Sequence, residues 1–309
     1  MFKMMVTTNM LISPMMMANM NSWVMIWVFL EISSISFISL MKMKQDNEGS
    51  MIYFLAQSLG SFLIIMSMIK SSMFLMNIMS EKVMMNMGLM IKLGLMPFHQ
   101  WFVKMGSMIS MDNLFLLSSI QKMAPLLLIS MNFSTTMTIM ILTSMIMSVI
   151  IQMMQTSMKK LLIFSSIFQN SPIMMSFMLN TKMAMLYFML YTTTLFMVIK
   201  EMKKNMTNSL NHQTNKTSLT MMLNVSSMAG MPPLMGFIPK WILLKMMSKE
   251  TNMMVNPIIL VITSVISFFI YFRMMTPTTL STKKKMKTMT MTKTTLFMQM
   301  IMPIFLMVM

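Results

Sequence analysis

Apolar residues in this chain neither alternate nor recur in helical stripes. They run on for about the length that one helical crossing of a bilayer requires, roughly 17 to 25 residues. Such runs fall at 4–20, 22–41, 51–69, 83–103, 113–131, 134–153, 160–179, 183–199, 219–246, 256–275 and 294–309. A segment surrounded by lipid must satisfy its own backbone hydrogen bonds, so each run is predicted to be an α-helix. The expected fold class is therefore an all-α polytopic membrane protein with about 11 transmembrane helices.

The polar segments between the runs alternate sides of the membrane, and their charges follow that alternation. Of the 24 lysines and arginines, Lys70, Lys82, Lys182, Lys245 and Lys249 fall on one side, while Lys92, Lys122 and Lys240 fall inside runs. The rest lie on the side of the N-terminus, which the positive-inside rule places on the matrix or cytoplasmic face. The net charge of +17 thus reads as membrane topology rather than nucleic-acid binding, and the lysine- and threonine-rich stretch 276–293 as a solvated loop. Lys3 is the only charge before the first run, and no cleavable presequence is expected.

Composition narrows the chemistry. Charged residues make up 10% of the chain and mean hydropathy is +0.70, too apolar to build a water-exposed globular surface. The absence of cysteine excludes disulfides and cysteine-ligated iron–sulfur clusters, and two histidines, His99 and His212, argue against haem or zinc. With seven glycines, no phosphate-cradling loop stands out. The 62 methionines are spread through the apolar runs and read as lipid-phase filler, a bias expected where an isoleucine codon is decoded as methionine, as in mitochondrial genomes.

Two runs carry helix breakers beside a lysine. In IKLGLMPFHQWF (91–102), Pro97 has no N–H for the carbonyl of Leu93, so the helix is predicted to break there. AGMPPLMGFIPKW (229–241) repeats the arrangement ahead of Lys240. Breaks at membrane depth are tolerated where the freed groups face protein or a watery cavity. Counting runs one to five (1–131) and six to ten (132–275) as two blocks, each lysine-bearing break lies in the fourth run of its block. Five is odd, so the blocks must be inverted: two five-helix repeats, followed by a polar loop and C-terminal helix at 276–309. Pro125 and Pro172 are expected to interrupt their own runs.

Of the seven acidic residues, six, including Glu201, are read as lying in or beside loops, whereas Glu31 lies midway through WVMIWVFLEISSISFISL. A carboxylate there costs roughly 2.5–3.5 kcal/mol on insertion scales, which calls for a partner, and Lys92 is the natural one. The pair either holds helices together or exchanges a proton when a neighbour competes for one partner. Lys122, beside Pro125, has no intramembrane acid left and is either a proton relay or a snorkelling side chain. Lys240 has the same two readings. His99 either satisfies broken backbone or relays protons, and His212 is a surface residue. Ser165 and Ser166 either hold water or line a helix contact.

IKLGLMPFHQWF, IQKMAPL, QTSMKKLLIFSSI and AGMPPLMGFIPKW, in this order and spacing, resemble the subunit 2 family of mitochondrially encoded NADH dehydrogenase, the antiporter-like subunits of respiratory complex I. The resemblance runs from about Trp23 to Trp241. It implies two inverted repeats with broken helices, proton pumping across the mitochondrial inner membrane, and no redox cofactor in this chain: NADH, FMN, iron–sulfur clusters and ubiquinone would belong to other subunits. Implied partners are neighbouring antiporter-like and small core subunits, accessory subunits and lipids. Carried over residue by residue, the resemblance assigns the proton relay to Glu31, Lys92, Lys122 and Lys240. After FSSI, relatives carry a histidine where this chain has Gln169, which does not titrate and is left to order water. A free-standing cation/proton antiporter of the same fold is the alternative, and a purely structural membrane subunit is the third reading.

Overall fold

In the computed structural model, the structure describes residues 2–43, 46–72, 78–131, 134–210, 219–232, 234–249 and 255–282. The eleventh predicted run, His212, and the lysines of 283–293 lie outside them. All regular structure among the described residues is helical: α1 (Phe2–Ala18), α2 (Trp23–Met43), α3 (Asn47–Ser72), α4 (Ile78–Leu93), α5 (Gln100–Met108), α6 (Met111–Ser118), α7 (Ile120–Met131), α8 (Thr135–Met153), α9 (Met158–Leu179), α10 (Thr181–Leu210), α11 (Leu219–Ala229), α12 (Phe237–Met247) and α13 (Val255–Thr282).

Each of the first ten predicted runs is occupied by one helix or by a broken pair, and among the described residues seven spans are long and apolar enough to cross a bilayer. The pairs are α4/α5, α6/α7 and α11/α12. Side chains such as Val24, Phe54, Ile139, Phe196, Val265 and Phe269 are exposed, as expected of surfaces that face lipid rather than water.

Two compact units are present. The first comprises Met1–Ser148 with Lys159–Met178, and the second comprises Val149–Met158 with the chain from Leu179 onward. In the first, α3 packs along α4 and against α5, while α7 packs on α1, α2 and α4. Close approach of α3 and α4 depends on facing glycines: a Cβ at Gly88 would stand 2.8 Å from the carbonyl oxygen of Gly60. In the second unit, α11 lies between α10 and α13.

Three sequence expectations are corrected. Pro172 does not interrupt its run: α9 continues through it, because losing one hydrogen bond is tolerable in a helix whose residues 161–177 are all buried by packing. Pro125 also sits inside a continuous helix, α7; the interruption lies upstream at Ser119, with φ −115° and ψ −87°. There the Ser118 and Ser119 hydroxyls donate to the carbonyls of Leu114 and Phe115, occupying the end of α6. Glu201, read as a loop residue, is buried in α10 and accepts a hydrogen bond from Thr220 of α11 at 3.2 Å.

Candidate functional site

The first break is closed by glycine, not by proline. Helix α4 ends at Leu93, and Gly94 takes φ +65°, a left-handed conformation that only glycine adopts cheaply. The Gly94 N–H donates to Ile91 O at 3.0 Å and the Leu95 N–H to Met90 O at 3.0 Å, the two bonds of a Schellman cap. Pro97 follows three residues later and keeps the chain from resuming at once.

Side chains from elsewhere cover the Lys92 and Leu93 carbonyls that the cap leaves open, and one adds a second donor to Ile91 O. Trp101 Nε1 donates to Ile91 O (3.0 Å), Gln57 Nε2 of α3 to Lys92 O (3.2 Å), and Asn170 Nδ2 of α9 to Leu93 O (3.4 Å). The final turn is thereby satisfied inside the protein, the condition under which broken backbone persists at membrane depth.

The second break is built the same way. Helix α11 ends at Ala229, Gly230 has φ +87°, and the N–H groups of Gly230 and Met231 donate to Ser227 O (3.1 Å) and Ser226 O (3.2 Å). The position equivalent to Leu93 is Ala229, and its carbonyl accepts from Lys240 Nζ at 3.0 Å. An ammonium at a helix C-terminus also meets the negative end of the helix dipole.

Gly94→Ala is expected to destabilise the first unit by more than the ~1–2 kcal/mol of a left-handed non-glycine residue. Its Cβ would also stand 2.8 Å from Phe102 Cβ, and the thermal midpoint of the purified protein checks the result. Gly230→Ala would place its Cβ 2.9 Å from Lys240 Nζ, so it is expected to displace that ammonium, which a structure of the variant would show.

Glu31 and Lys92 meet as the sequence suggested. Lys92 Nζ lies 3.2 Å from Glu31 Oε1, joining α4 to α2. The Lys92 side chain is 2% exposed and that of Glu31 23%. The Ser34 hydroxyl donates to Glu31 O at 2.8 Å and lies 3.4 Å from Oε2, one turn along α2.

Lys122, 2% exposed, is not snorkelling. Its Nζ donates to the backbone carbonyl of Ser166 at 2.9 Å and stands 4.9 Å above the centre of the Phe102 ring. No carboxylate among the described residues stands within ion-pair distance of it. Phe102 ties this lysine to the first break, since the same side chain packs against Gly94. Beside Lys122, Gln121 bridges two helices: it accepts from Tyr53 Oη (3.0 Å) and donates to Ser33 O (3.0 Å).

Other expected residues are placed differently. The hydroxyls of Ser165 and Ser166 donate within their own helix, to Leu162 O and Ile163 O, so the carbonyl of Ser166 and not its hydroxyl serves Lys122. His99 is half-buried in the turn before α5, with Nδ1 3.2 Å from Pro97 O. Gln169 is buried in α9. Asn170, Gln57, Trp101 and Gln121 were missed as site residues. The available signal was an amide or indole beside a break or inside an apolar run, too weak to name a partner.

Two helix breaks closed on glycine, each with a buried lysine beside it, thus lie within a polytopic helical membrane protein. The transmembrane family of NADH:quinone oxidoreductases and Mrp antiporters matches residues 20–270, and the chain belongs to that family. Among its relatives, NADH-ubiquinone oxidoreductase chain 2 of Bos taurus is 32% identical over 281 residues, covering 84% of this chain and 80% of the relative. The Gallus gallus protein of the same name is 31% identical over 294 residues, 88% of this chain and 84% of the relative. A chain of respiratory complex I from Thermus thermophilus with bound aureothin shares the fold with TM-score 0.73 at 15% identity, covering 88% of this chain and 69% of that one. A chain of the Mrp complex from Dietzia has TM-score 0.67 at 14% identity, covering 82% and 56%.

Proposed function

We propose that this chain is a proton-translocating core membrane subunit of an NADH:ubiquinone oxidoreductase, complex I, in the mitochondrial inner membrane. Glu31, Lys92, Lys122 and Lys240 form its relay. The observation that carries this reading is Lys122: a buried ammonium held by a backbone carbonyl and a ring face, both neutral. A carbonyl accepts a hydrogen bond from the ammonium and from the neutral amine alike, so this site accommodates loss and regain of a proton without rearranging.

The cycle begins at the Glu31–Lys92 pair. Energy released in redox subunits alters the pairing; with Glu31 drawn away, the buried Lys92 ammonium loses its counter-charge and is driven to give up a proton. Protons then shift along Lys92, Lys122 and Lys240 through water. Lys240, resting on the end of α11, is the distal member. Redox chemistry on NADH, FMN, iron–sulfur clusters and ubiquinone belongs to partner subunits, and this chain contributes no redox centre. Its neighbours are other antiporter-like and small core subunits, accessory subunits and lipids.

Eleven crossings in two inverted five-helix repeats, 1–131 and 132–275, followed by a C-terminal helix, with the N-terminus in the matrix, complete the reading. The matching glycine-closed breaks at Gly94 and Gly230 support the repeat. His99, Ser165 and Ser166 are secondary, since their side-chain hydrogen bonds are local.

Purification through a tag on this chain tests the proposal. Recovery of a redox-active assembly that acidifies one side of a vesicle only when NADH is oxidised is the expected result. Recovery of the chain in a small complex that exchanges Na⁺ for H⁺ without NADH would move it to the free-standing antiporter, the reading that the Dietzia likeness leaves in play.

A further inference from the structure

Asn170 is fully buried in α9, in a helix that the lysine relay uses only through the carbonyl of Ser166. Its Nδ2 donates to the Leu93 carbonyl, so the amide is oriented by that bond, and Oδ1 is left as a buried acceptor with no protein partner among the described residues. A buried amide oxygen left unsatisfied carries the full penalty of its lost hydration. The natural remedy at a polar, roomy position is an ordered water.

The placement of that oxygen is specific. Ser166 and Asn170 are four residues apart on one helix, hence on one face and about 6 Å apart along the axis. The first holds the Lys122 ammonium, and the second holds the carbonyl of the residue after Lys92. Lys122 uses one of its three N–H donors on Ser166 O, which leaves others to donate to a water, and that water can donate in turn to Asn170 Oδ1. The neighbouring Gln169 cannot titrate.

We propose that Asn170 is a positioning residue that holds the water through which protons pass between the Lys92 break and Lys122. The amide neither gains nor loses a proton. Water accepts one from the Lys92 side and releases one to the neutral Lys122 amine on the other, so charge and atoms balance across the step. This inference rests on the relay described above and adds its missing middle link.

The test is made in the assembled complex reconstituted in vesicles, with Asn170→Leu and Lys122→Met compared with the unmodified protein for protons moved per NADH oxidised. Asn170→Leu keeps the side chain's size and removes both polar atoms. The expected result is an assembled enzyme whose proton yield per NADH falls, together with a water peak within hydrogen-bond distance of Asn170 Oδ1 in a structure of the unmodified complex. A normal yield in Asn170→Leu, or a dry Oδ1, overturns the proposal. Failure of Asn170→Leu to assemble also counts against it, because it assigns the residue to capping α4 alone. If Lys122→Met collapses the yield while Asn170→Leu does not, only this inference fails; if neither changes it, the relay itself fails.

Discussion

Lys122→Met is expected to leave the protein assembled and to abolish its share of proton translocation. The side chain is buried against Phe102 and α9, and methionine matches its length without a charge. Burying an ammonium costs free energy that one carbonyl and one ring face only partly return, so the substitution is predicted to be neutral or stabilising for the fold. A scaffold would therefore tolerate it, whereas a relay would lose its only titratable group on α7. Lys122→Arg sharpens the contrast: arginine keeps the charge but does not release its proton in proteins, so it too is expected to stop translocation. Proton uptake per NADH oxidised by reconstituted complex, with assembly followed on native gels, checks both variants. Normal uptake in either one would remove Lys122 from the relay.

The second large effect concerns the ion pair between α2 and α4. Glu31→Gln is expected to leave the Lys92 ammonium without its counter-charge, at a cost on the order of 3 kcal/mol for breaking a buried pair. Partial exposure of Glu31 places the result at the low end. Lys92→Met leaves the carboxylate unpaired and should cost less for the same reason. The double variant removes both charges, and the pair's own contribution to stability is then small, so the thermal midpoint is expected to recover toward the unmodified value. Translocation is expected not to recover. That divergence decides between the two readings of the pair: a merely structural bridge predicts that stability and function return together. Thermal denaturation and proton uptake measured on all four proteins give the answer.

Much of this was legible without a structure because lipid imposes strict local rules. Backbone groups must be satisfied within the segment, so apolar run length marks the helices, and the first ten runs match helices or broken pairs. A lysine or glutamate inside such a run is costly wherever it lands, which is why Glu31, Lys92, Lys122 and Lys240 stood out. Proline was over-read. Its missing N–H is a certain local defect, yet α7 and α9 absorb it, while the helices at the two lysine-bearing breaks end at glycine, where backbone φ is positive. The distinction between defect and break depends on whether packing holds the flanking turns in place.

The sequence by itself determined the membrane class, the helical runs, the buried charges and the two breaker-rich stretches, because each follows from hydropathy or from a single residue's backbone chemistry. Tertiary structure decided which group meets which. The carbonyls of Lys92, Leu93 and Ser166 find their partners 35, 77 and 44 residues away, and Glu31 meets Lys92 across 61. It also decided that a serine carbonyl rather than a hydroxyl holds Lys122, and that Glu201 is interior to the protein. Such pairings depend on how helices lie against one another, which in lipid is set by close packing at small residues and by interhelical hydrogen bonds rather than by any pattern along a single run.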